Sequence, residues 1–297
     1  MGNLVAGALW SFWRRSRSVE RLGYVIGGIL LLSGLVHLAI LIMSGGSWTG
    51  PLSLRKPTTF GLSFGVTLIT IAWVSSFLRL GDRARAILLG VFTIACVIET
   101  ALVSLQAWRG VPSHFNTETT FDALVARMLA AGGITLVVII AVMTLASFRA
   151  NAATSPSLRL AIRIGFVTLF SSLIVGALMI AKGMVLVFSG HRQTAYATGG
   201  TLKPTHAVTM HAIFVLPLLA WLLTLTGWNE RRQLRIVLLA SVGYALAAGV
   251  VAIGNLAGLA LSQMPIAAIG IAAIGVLAML AAWVIALSGV ARSLEPP

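Results

Sequence analysis

Residues 99–127, ETALVSLQAWRGVPSHFNTETTFDALVAR, gather Glu99, Gln106, Arg109, His114, Asn116, Glu118, Asp122 and Arg127 in a chain in which only 9% of residues are charged. Apolar runs at about 85–108 and 121–148 flank this cluster, and each exceeds the roughly 20 residues that a helix needs to cross hydrocarbon. Two spanning helices joined by a polar loop is the reading that follows.

The rest of the chain extends that reading. Its 297 residues are 58% hydrophobic, with a mean hydropathy of +0.99, so much of the apolar surface must face lipid rather than water. Further runs at about 22–43, 59–79, 159–188, 206–227, 235–260 and 266–290 bring the expected spans to eight. The net charge of +14 sits in short clusters between these runs, where arginines orient helices, and does not indicate nucleic acid. Cys96 is the single cysteine, which rules out a disulfide framework and a thiolate metal cluster.

Residues 1–21, with Leu4, Trp10, Phe12 and Trp13 ahead of Arg14, Arg15, Arg17 and Arg21, read as an interfacial amphipathic segment. Arg79, Arg83 and Arg85, then Arg149, Arg159 and Arg163, then Arg231, Arg232 and Arg235, and finally Arg292 fall on the same side as the N-terminus. The positive-inside rule then places both termini in the cytoplasm, in a bacterial cytoplasmic membrane. The expected fold is an all-α integral membrane protein of two four-helix halves, 22–148 and 159–290, joined by a cytoplasmic linker at 149–158 and ending in a tail at 291–297. The halves carry faint internal likenesses: Arg21-Leu-Gly-Tyr-Val against Arg163-Ile-Gly-Phe-Val, Lys56-Pro57-Thr58 against Lys203-Pro204-Thr205, Gly81-Asp82-Arg83 against Asn229-Glu230-Arg231, and Arg85 against Arg235. Because each half has an even number of helices, they are expected to be related by a pseudo-twofold axis along the membrane normal.

Proline suits the first turn of a helix, where its missing N–H has no partner to lose. Lys56 and Lys203 therefore mark two helix starts on the outer face, where the positive dipole end attracts an anion. Counting about 1.5 Å per residue, His37, Glu99, Arg127, Lys182 and His211 all lie about 8–14 Å below the outer surface, with Asn255 at similar depth. Intramembrane charges face the bundle interior and pair, so Glu99 is expected to meet Arg127, with Lys182 as competitor.

Glu99, Arg127, Asp122 and His37 are the candidate catalytic groups; Lys56, Gln106, Arg109, His114, Asn116, Lys182, Lys203 and Asn255 are candidate ligand contacts. His206 and His211 are five apart and do not share a helix face; His206 with Met210 on one face, or His37 meeting His211 across helices, leaves haem or a metal ion as a cofactor reading. Gly-x-Ser-x-Gly and His-Glu-x-x-His are both missing. Eight helices in two halves, with histidines toward one side, resemble the layout of haem A synthases. That resemblance implies haem-ligating histidines on paired even-numbered helices, whereas here helices 2, 4 and 8 lack them and only His206 and His211 fit. The functional expectation is a membrane-embedded enzyme or cofactor-binding protein that handles a lipophilic or anionic envelope molecule. The alternatives are a transporter of a small anionic or amphipathic solute and an accessory subunit with a protein partner.

Overall fold

The computed structural model describes residues 13–50, 52–197 and 202–293. Of the expected interfacial segment, residues 1–12 lie outside the described residues, as do 294–297 of the tail. Eight helices are long and apolar enough to span a membrane: α1 (Ser18–Met43), α2 (Arg55–Ser75), α3 (Asp82–Trp108), α4 (Thr120–Ser147), α5 (Pro156–Phe188), α6 (Leu202–Thr224), α7 (Glu230–Leu256) and α8 (Ile266–Arg292). A short helix, Arg192–Ala197, lies between α5 and α6, and no strand occurs among the described residues.

Local chemistry sets the helix boundaries. Thr119 accepts a bond from the Asp122 amide to open α4, Ser155 accepts from Leu158 ahead of Pro156 to open α5, and Asn229 accepts from Arg232 to open α7. Such caps satisfy amides that the helix itself leaves unpaired. Pro57 and Pro204 both fall in first turns, as their spacing predicted.

Within the first half α1 packs on α2, both touch α3, and α3 touches α4; within the second α5 packs on α6, both touch α7, and α7 touches α8. The halves meet where α4 lies against α5 and α2 against α6. Close approach is built from glycine: a methyl on Gly34 would lie 2.6 Å from the Leu62 amide, and one on Gly65 2.7 Å from that of Leu31. With no hydrophobic drive between helices in lipid, this contact area is a main source of association.

Acidic residues at helix starts tie down the connections at the arginine-rich end. Asp82, opening α3, accepts from Arg17 before α1 at 2.7 Å, and Glu230, opening α7, accepts from the Ser157 amide at the start of α5 at 2.6 Å. Arg85 donates to the Leu80 carbonyl as Gln233 does to that of Trp228. A buried pair not foreseen, Arg85 with Glu20 at 3.8 Å, ties α3 to α1 at this end.

Packing differs between the two ends. The large buried cluster, which includes Leu68, Ile71, Phe92, Ile140, Met143, Phe166 and Leu216, fills the arginine-side and middle levels. Toward the other end, here the loop end, a small cluster of Val103, Val125 and Leu129 stands beside buried polar groups. Apolar side chains such as Ile29, Leu145, Ile253 and Val284 face outward, as the hydrocarbon phase requires.

Candidate functional site

The loop end is built on the starts of α2 and α6. Arg55, Lys56 and Lys203 stand at these two starts, near enough that Lys56 lies in the field of both Arg55 and Lys203, and Lys203 in that of Arg55. None of the three enters an ion pair among the described residues, and Arg55 Nε is buried without a partner.

The 109–119 loop covers this cluster. Lys56 Nζ donates to Ser113 Oγ at 3.2 Å, and Ser113 Oγ shares a hydrogen bond with His114 Nδ1 at 2.9 Å. His114 packs beside Phe60 of α2; burial, aided by the Lys56 charge, pushes it down to about 3, so the ring is neutral at neutral pH. Phe115 holds a left-handed φ of 66°, alone among the described non-glycine residues, and its ring fills the space beside Gly183 of α5. Such a conformation costs about 1–3 kcal/mol and persists only where packing imposes it. Glu118 accepts from Tyr196 Oη of the short helix at 3.4 Å, and burial with the neighbouring Glu118 charge pushes the tyrosine up. The loop therefore runs from α3 across to α5. Asn116 is 0% exposed with its Nδ2 unpartnered.

Several sequence candidates form a closed network beneath the loop. Asp122 accepts from Gln106 at 2.9 Å, Arg109 at 2.5 Å and Thr119 at 2.7 Å, and Arg109 also donates to Gln106 Oε1. These bonds join the end of α3 to the start of α4. Asn255 accepts from the amide and hydroxyl of Thr205, at 3.1 and 2.8 Å, and so closes the start of α6.

The expected polar layer divides. His37 and Glu99 are buried, whereas Arg127, Lys182 and His211 are exposed on the outer surface of their helices. The expected Glu99–Arg127 pair is not formed. Glu99 turns to Gly132 of α4, where its carboxyl fills the space a side chain would take, and its Oε1 has no partner. Long basic side chains near helix ends run along apolar surface to reach the headgroups, which takes Arg127 and Lys182 away from the interior.

The histidines are likewise separated by their bonds. His37 spends Nδ1 on the Ser33 carbonyl at 2.8 Å and accepts from the Trp108 indole at Nε2 at 3.0 Å. His206 is held by Ser172, and His211 lies edge-on to Phe214. Among the described residues no group of three or more His, Cys, Asp or Glu is placed to hold a metal ion.

Comparison with known proteins adds no assignment. No protein-family model, curated protein or solved structure matches this chain. The layout resemblance to haem A synthases is therefore joined by no match in sequence or in structure.

Sequence reasoning found Lys56, Lys203 and His114 but not the contacts of Phe60, Phe115, Gly183 and Tyr196 that seat the loop. Only the aromatic Phe115 amid polar residues signalled an anchor. Its target on α5 lies 68 positions away and has no local trace.

Proposed function

We propose that this polytopic membrane protein binds the anionic head of an amphiphile at the loop end of the bundle, with the arginine-rich end facing the cytoplasm. The observation that carries this reading is the convergence of Arg55, Lys56 and Lys203 without a carboxylate partner. Each of the two helix starts adds a partial positive charge of about half a unit. Of the acids in and beside the loop, Asp122 is already spent on Arg109 and Glu118 accepts from Tyr196. A phosphate or carboxylate at this position supplies the missing countercharge, and Arg55 Nε and Asn116 Nδ2 are buried donors open to it. The 109–119 loop bounds the head, while the lipid-facing helix surfaces accept the tail. Haem has weaker support, because the Trp108 indole occupies His37 Nε2 and that bond must break before the nitrogen ligates iron.

Thermal unfolding of detergent-purified protein tests the reading. Dodecyl phosphate should raise the midpoint saturably, as expected for a ligand of the folded state, while dodecyltrimethylammonium should not. Lys56→Gln with Lys203→Gln should weaken the apparent affinity by about tenfold or more, equivalent to about 1.4 kcal/mol. Equal stabilisation by both amphiphiles, or an unchanged response in the double variant, sinks the proposal. A visible absorption spectrum of the purified protein decides the haem alternative separately.

A further inference from the structure

At the arginine-rich end, the seam between the halves opens as a shallow recess. Phe77, Ala146 and Ile162 form an apolar wall, and Arg79, Arg149 and Arg159 stand along it. Asn151 fixes the floor by donating to the Phe77 carbonyl at 2.8 Å. Arg79 and Arg159 each donate to one main-chain carbonyl, of Ala150 at 3.5 Å and of Asn151 at 3.2 Å. A guanidinium has five N–H donors, so most remain for another acceptor. Arg149 makes no side-chain bond among the described residues, and no carboxylate lines the recess. Leu145 and Phe148, next to the lining residues Ala146, Ser147 and Arg149 in the chain, are exposed on the outward face.

We propose that this recess binds one anionic phospholipid, with its phosphate held by Arg79, Arg149 and Arg159 and an acyl chain lying along the exposed Leu145 and Phe148. Three arginines around one recess exceed what helix capping uses, since Arg163 alone already donates to the Ser147 and Phe148 carbonyls that end α4. Basic pockets between spanning helices are suited to acidic head groups. A free phosphate satisfies the rim and leaves the exposed Leu145 and Phe148 uncovered, which favours a lipid. The site lies at the opposite end from the Lys56–Lys203 cluster and does not rest on the function proposed for it.

Native mass spectrometry of the full chain, delipidated and then supplied with phosphatidylglycerol or phosphatidylcholine, tests this. Phosphatidylglycerol should be retained about tenfold more strongly. Arg149→Gln with Arg159→Gln should remove most of that preference, because each basic residue near the surface is worth on the order of a fivefold change. Arg231→Gln, on α7 away from the recess, should leave it intact. Arg149→Gln alone breaks no described bond, so its partial loss reads the site even if the double variant folds poorly. Equal retention of the two lipids, wild-type behaviour of the Arg149→Gln variant, or displacement of the lipid by inorganic phosphate at equal concentration overturns the proposal.

Discussion

His114 shows how one residue can make the 109–119 loop sensitive to its surroundings. Its ring shares a hydrogen bond with Ser113, lies beside Phe60 and faces the charge on Lys56. Folded, it titrates at about 3, below the usual histidine value of about 6.5, so the unfolded chain takes up the proton first. The stability that His114 contributes is therefore complete above about pH 6.5 and is lost as pH falls toward 3. Thermal unfolding between pH 7.5 and 4.5 should show the wild type losing more stability than His114→Gln, with Lys56→Gln intermediate because one repelling charge is gone. Parallel profiles for all three would remove His114 from the account. The position of His114 in the loop between α3 and α4 was legible in the sequence; its packing was not, because the loop is seated by side chains from α2 and α5. Arg127 and Lys182 show the same limit differently. Counting residues gives depth along a helix, but the face each one takes depends on which neighbours pack where.

Among the helices, the pairing of α3 with α4 shows what the sequence concealed. Both spans were legible from hydropathy and length to within a few residues, as were the first-turn prolines of α2 and α6. The content of the α3–α4 interface was not, because Glu99 answers an absent side chain: it occupies the space left by Gly132. Gly132→Ala should therefore destabilise the protein by about 1–3 kcal/mol through overpacking, and Glu99→Ala should recover much of that loss by vacating the space. Unfolding of the two single variants and the double variant in detergent gives the coupling. Additivity within about 0.5 kcal/mol would show that the two positions do not interact. An ion pair with Arg127 predicts the opposite pattern, since Gly132 would then be indifferent to residue 99.

Across the whole molecule the two ends are chemically unlike. At one end arginines reach main-chain carbonyls and the interior is packed with aliphatic and aromatic side chains. At the other, cations gather at two helix starts under a loop, and the interior holds Glu99, Gln106, Asn116 and Asp122. The arginine clusters and the buried polar groups thus lie at opposite ends, so orientation decides which compartment the polar end faces. Because Cys96 is buried, introduced cysteines report on topology without interference from the native thiol. Thr117 and Ala152 are exposed, on the loop end and the arginine end respectively. In intact cells a membrane-impermeant maleimide should label Thr117→Cys and leave Ala152→Cys unmodified until the membrane is permeabilised. The reverse pattern would place the Lys56–Lys203 cluster in the cytoplasm, where its amphiphile would come from the inner leaflet, and would set the arginine recess against the opposite leaflet from the one the positive-inside rule assigns.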